Sequence, residues 1–131
     1  MVQYPMSLGN ASLARQRLRH TPPTPLEIEH AIEHTEDVVM PLAAKVLGTV
    51  EFAVRGVGAA LFLQAVGAAP NATLRWSLDE VEDLFNRIVM VSEGRPSAQE
   101  ALPTTPEFYA AMVILRESLH HLRFSGVVLL A

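Results

Sequence analysis

The chain has 131 residues, 50% of them hydrophobic and 18% charged, with no cysteine and a formal net charge of −4. Without cysteine, disulfides, thiolate metal sites and cysteine nucleophiles are excluded. A net acidic chain whose single lysine is Lys45 is not built to hold nucleic acid through its phosphates. The length suits one domain, and a charged share below the usual value of about 25% predicts apolar surface that meets a second subunit.

Residues 1–23 carry Pro5, Gly9, Pro22 and Pro23, and their charges are Arg15, Arg17 and Arg19 with no acid. This predicts a flexible basic N-terminal arm, in which Ser12 to His20 form a short helix on contact with another surface. Residues 24–131 are then expected to make a single helical domain. The opening Met1 to Pro5 lacks a basic start followed by an apolar run, so a cytoplasmic protein is expected.

The first long helix is expected at Thr24, which caps, with Pro25 at the first helical position and Glu27 completing a capping box. Ile28, Ile32, Val39, Leu42 and Val46 follow at helical spacing. Pro41 removes a backbone donor inside that pattern, which predicts a kink or break near Asp37–Met40, and Gly48 is the expected stop.

From Val50 to Val66 the rhythm of Val50, Val54, Val57, Leu61 and Ala65 is helical, although Val50 to Val54 fits a short strand equally well. The helix is the preferred reading, placed at the centre of the domain. Lys45, Glu51 and Arg55 before it, and Gln64, Pro70 and Asn71 behind it, interrupt the apolar run that a membrane span would need. A turn at Ala69–Ala72 leads to a helix capped by Ser77 and Glu80. Asp79, Glu80, Glu82 and Asp83 favour its N-terminal dipole, and Leu78, Val81, Leu84, Phe85, Ile88 and Val91 form its buried face. Gly94 and Pro96 end it, and a connection over 95–104 has one turn after Ser97. Thr105 and Pro106 open the last helix, striped by Phe108, Met112, Leu115, Leu119 and Leu122.

The tail Val127, Val128, Leu129 and Leu130 is too apolar to lie in water. It is expected to pack on its own bundle or across a dimer interface, or to add as a strand. The sum is an all-α fold: a four-helix bundle made irregular by Pro41, preceded by an extended arm.

Few constellations carry chemistry. Glu27 with His30 and Glu117 with His120 are both Glu-x-x-His, the spacing that lets a carboxylate and an imidazole on one helix face reach one ion in bundle metalloproteins. His34 and His121 lie beside them. Against that, the apolar stripes place His30 and Glu117 on outward faces, and a bundle-core site needs inward ligands. Gly56-Val57-Gly58 follows a strand-like run as a dinucleotide loop would, but Leu61 replaces the third glycine and no alternating strand and helix pattern is evident. A calcium loop ending at Glu80 fails, with Ala69 and Leu74 where an aspartate and a glycine belong. Gly-x-Ser-x-Gly is absent.

These observations predict a non-catalytic, self-associating interaction module, a homodimer, with no membrane or nucleic-acid partner, no cofactor, and Val127 to Leu130 at its interface. One alternative is a metal-binding protein or metalloenzyme using Glu27, His30, His34, Glu117, His120 and His121, with iron, manganese or zinc suited to such ligands. Another is a small-ligand pocket lined by Phe52, Phe62, Phe85 and Trp76.

Overall fold

The computed structural model describes residues 9–45 and 52–130. Among these residues, six helices surround a three-stranded mixed sheet. The fold is therefore not the all-α bundle that the periodicity suggests.

The difference begins at the apolar tail. Gly126–Leu130 is a strand, β3, that lies between two others. On one side Phe52–Val54 (β1) pairs with it in parallel, Phe52 opposite Val127 and Val54 opposite Leu129. On the other, Thr73–Ser77 (β2) pairs antiparallel, from Thr73 opposite Leu130 to Ser77 opposite Gly126. Val127, Val128 and Leu129 are buried and Leu130 is half-buried, so the residues expected at a dimer interface are partnered within the chain. A short apolar run gives no period by which helix and strand are told apart, whereas two paired edges settle its backbone as strand.

Two further strands come from the same ambiguity. The segment expected as one central helix divides at Arg55. Before it stands β1, and after it comes the helix Gly56–Ala65 (α3). Gly56 has a φ of 68°, a left-handed conformation that glycine adopts without the Cβ penalty. In β2, Leu74 and Trp76 face inward while Thr73, Arg75 and Ser77 are exposed. That period of two is present in the sequence, in a stretch between the turn at Ala69–Ala72 and the capping signal at Ser77 where no element is expected.

Within the expected arm, the short helix foreseen over Ser12 to His20 lies a little earlier and is packed. Asn10–Arg17 is a helix, α1, whose Leu13 and Ala14 are buried together with the following Leu18, while Arg15, Arg17 and Arg19 stay exposed. The arginines mask a short apolar stripe that packs on the last long helix, Pro106–His121 (α6). Residues 1–8 of that arm lie outside the described residues.

Local signals of helix ends are well matched. Pro25–Val39 (α2) opens with Thr24 and Glu27 in a reciprocal capping box. Leu78–Ser92 (α4) opens with the same device at Ser77 and Glu80. Thr105 caps α6 by accepting from the Phe108 amide. The break expected at Pro41 is the end of α2, which passes into a 3-10 turn over Met40–Leu42; Val46 and the stop at Gly48 fall outside the described residues. Ser97–Glu100 (α5) is the single turn foreseen there, held by Arg87, whose Nε donates to Glu100 Oε2 at 2.7 Å.

The core centres on α6. Phe108 through Val113, Leu115, Glu117, Ser118 and Leu119 are all buried, because α1, α2, α3 and α4 pack around this helix. Phe62 meets Trp76 and Phe108 with ring centroids 5.7 and 6.4 Å apart. Among the described residues, no helix is long and apolar enough to cross a membrane.

Gly126 fixes how closely β2 approaches β3. A Cβ built there would lie 2.6 Å from the Trp76 carbonyl oxygen, a backbone atom that cannot move without breaking the pairing. Gly126→Ala is expected to cost roughly 2–3 kcal/mol in urea unfolding. A loss below about 0.5 kcal/mol would mean that the strand separates at little cost.

Candidate functional site

Glu117, His121 and Glu36 meet where α6 lies along α2. His121 Nε2 is 2.9 Å from Glu36 Oε2 and 3.5 Å from Glu117 Oε1. Glu117 and His121 stand four apart on α6, so one helix face presents both. Arg116 takes the other oxygen of Glu117, its NH1 donating to Oε2 at 3.0 Å, and its Nε donates to Glu82 Oε1 of α4 at 3.1 Å. The guanidinium carbon also lies 4.6 Å from the centre of the Phe85 ring. His120 is exposed and approaches Glu82 at 3.7 Å. Three helices thus share one polar network along their seam.

The side chain of Glu117 is only 3% exposed. Burial pushes its carboxyl above the usual carboxylate range and the neighbouring Glu36 adds to this, while Arg116 and His121 pull the other way. The trio brings one oxygen from each of two carboxylates and one ring nitrogen within 4.8 Å of one another. One residue along, the Ser118 hydroxyl is buried without a protein partner.

The residues picked out by Glu-x-x-His spacing are divided. Glu117 and His121 come together, and the outward placement inferred for Glu117 is wrong. Ala110, Val113 and Glu117 lie at i, i+3 and i+7, and the first two are fully buried. They mark a second buried face of α6 that a single-stripe reading misses. His30 is exposed and His34 half-buried. Neither joins the group whose ligand atoms converge, and nor do Glu27 and His120. Glu36, Arg116 and Glu82 were not foreseen. The available signal for Glu36 was its position four residues after Ile32 and three before Val39, on the margin of the α2 stripe.

Glu27 is committed to the start of α2. Its Oε1 accepts from the Thr24 amide at 3.0 Å and its Oε2 from the Arg19 amide at 2.7 Å. His20 Nδ1 lies 3.1 Å from Oε1. Partial burial alone would raise its pKa, but these backbone donors and His20 together hold it at about 2.

Elsewhere, the β1–α3 junction has the strand–glycine–helix form expected of a dinucleotide loop, and α3 has no side-chain cap. An alternation of strand and helix does follow, through β2 and α4. Leu61 still stands at the third glycine, and β3 separates β1 from β2. Of the aromatic residues expected to line a ligand pocket, Phe62 and Phe85 are buried and Phe52 meets Phe124 with ring centroids 5.3 Å apart, while Trp76 lines a hollow. That open hollow, of about 380 Å³, is lined by Val66, Trp76, Asp79, Glu80, Asp83, Leu84 and Arg87.

The mixed sheet and its helices define a class of α/β fold rather than a bundle, and solved structures share it. The type II crystal variant of the Aquifex aeolicus Ppx/GppA phosphatase matches with a TM-score of 0.67 at 12% identity, over 92% of this chain and 42% of that one. The crystal structure of the Aquifex aeolicus member of the Ppx/GppA protein family matches with a TM-score of 0.65 at 14% identity, over 92% and 41%. The chain spans about two fifths of the length of these structures. No family model and no curated protein matches the sequence. At such identities the likeness is one of fold. The expectation of a self-associating interaction module is corrected at its main support: the apolar tail that suggested an interface is an internal strand paired on both edges, and the fold is shared with the two structures above.

Two outcomes test these assignments. Glu27→Ala is expected to cost about 1 kcal/mol at neutral pH, as loss of a helix cap does. With a folded pKa depressed to about 2, the stability Glu27 contributes is full above its unfolded value of 4.5 and is lost as pH falls through 2. Parent and variant should therefore converge in acid unfolding curves, and a gap that is constant with pH would remove the carboxylate from the cap. Arg116→Met is expected to cost about 3 kcal/mol by stranding the buried Glu117 charge. The double variant with Glu117→Gln should recover most of that in thermal unfolding, whereas additive losses would show that the pair is uncoupled.

Proposed function

We propose that this chain is a domain of a phosphatase of the Ppx/GppA kind and serves hydrolysis of a phosphate ester or phosphoanhydride. The observation that supports this reading is the fold likeness, which runs through 92% of the chain and so takes in sheet and helices together. A fold hosts many chemistries, so the reading is made at the level of reaction class.

Phosphoryl transfer is catalysed chiefly by positioning and by neutralising charge on the transferred group. A chain of about two fifths the length of the phosphatases it resembles would complete such a surface with further polypeptide or a second copy. The reading therefore includes the homodimer expected from composition. Exposed Leu26, Met40, Val66 and Met90 support it as apolar surface available for association. A cytoplasmic setting, which the cysteine-free sequence permits, completes it.

Release of inorganic phosphate from aryl phosphate, nucleoside triphosphate and inorganic phosphoanhydride tests the proposal, with magnesium or manganese supplied and size-separated fractions assayed separately. Turnover of at least one substrate, enriched in the dimer fraction, is the expected result. No release from any substrate in any fraction, with no thermal shift on adding those substrates, would overturn it.

A further inference from the structure

We infer that Glu36, Glu117 and His121 form a site for a single divalent first-row cation at the seam between α2 and α6. The inference rests on the geometry of these side chains and is independent of the phosphatase reading.

Among the described residues, this is the group in which three ligand atoms lie within 4.8 Å of one another. The spacings fit one ion. Two ligands at bond lengths of about 2.0–2.2 Å on a tetrahedral cation stand about 3.3–3.6 Å apart. His121 Nε2 lies 3.5 Å from Glu117 Oε1, within that range, and 2.9 Å from Glu36 Oε2, a few tenths short of it. Small rotations of side chains that are one-quarter to one-third exposed, His121 and Glu36, would bring an ion to bonding distance from all three.

The surroundings are those of a supported site. Metal-ligating carboxylates are themselves held by hydrogen bonds. Arg116 holds Glu117 Oε2 at 3.0 Å and leaves Oε1 to the seam, and Arg116 is in turn fixed by Glu82. Glu117 is the rigid member, with its side chain only 3% exposed. Charge points the same way. Arg116 pairs with Glu82 and Glu117, and Glu36 joins through His121 as a third carboxylate, so the network carries excess negative charge before the two histidines are considered. A divalent ion would offset it in the place where His121 now faces both carboxylates.

The donor set narrows the ion. Two carboxylates and one imidazole suit zinc, manganese or ferrous iron more than calcium, which prefers six or more oxygens. Three protein ligands, two of them partly open to solvent, leave positions for water, as in open rather than structural sites.

Calorimetric titration of the full chain with zinc chloride and with manganese chloride tests the site. The expected result is uptake of about one ion per chain, weakened at least about tenfold in both Glu36→Gln and His121→Gln. The double variant His30→Gln/His34→Gln, which alters both histidines of α2 but no residue of the trio, should bind as the parent does. Glu36→Gln alters a partly exposed residue and keeps the test usable if His121→Gln fails to fold. No uptake of either ion would overturn the inference. Uptake unchanged in Glu36→Gln, or lost in the His30/His34 variant, would place the ion elsewhere and overturn it equally.

Discussion

Strand β3 is paired along both edges, and the placement of the remaining elements depends on that pairing. Its amides and carbonyls lie in the interior, where an unpaired backbone group is costly. One edge is satisfied by β1 and the other by β2. Those two strands are separated in sequence by α3, and β2 runs directly into α4. Fixing the strands therefore fixes where α3 and α4 begin. α6, which precedes β3 by a few residues, lies against both helices, and α1 and α2 close its remaining faces. A helix enclosed on so many sides reads as apolar nearly all round, and α6 does so along its first two turns.

The exception within α6 is its C-terminal half. Glu117 brings a carboxylate into that enclosed environment, with Arg116 beside it to compensate and Glu82 and His121 beyond. Buried ionic groups contribute little net stability compared with apolar replacements, and their better-attested use is to specify one arrangement among several. Here the network ties α2, α4 and α6 at the same level, so a sliding of any one helix past the others would separate charges inside the protein. The apolar contacts alone, being tolerant of such shifts, would not penalise it so sharply.

What was legible in the sequence followed the range of the interaction involved. Capping boxes at Thr24/Glu27 and Ser77/Glu80 are complete within four residues and were correctly placed. So was the buried face of α4 from Val81 to Val91, whose period is local. Strand was an open alternative for Val50–Val54 and for the tail, but the pairing that decides it joins residues far apart: Val127 alone does not reveal that Phe52 and Trp76 stand on either side of it. The polar site followed the same division. Spacing within α6 drew attention to Glu117 and to the adjacent histidines, but Glu36 reaches the site from another helix, and only the packing of α2 on α6 makes it a partner. Arg116 was overlooked because an arginine next to a glutamate reads as solvated surface until the carboxylate is known to be buried.

The position of β3 also has a temporal meaning. Among the described elements it is the last in chain order, yet it is the one that both other strands require. Until it emerges, β1 and β2 have no common neighbour, and each presents open backbone edges that invite pairing with other chains. Contacts so distant in sequence are slow to form, and their absence leaves nascent chains prone to associate wrongly. Early-made α1, α2 and α4 have independent helix signals, but each lacks the surface of α6 against which its apolar face is packed. The described elements are thus organised around a strand that follows all of their helices, and a chain halted shortly before Gly126 would hold all six described helices and no sheet.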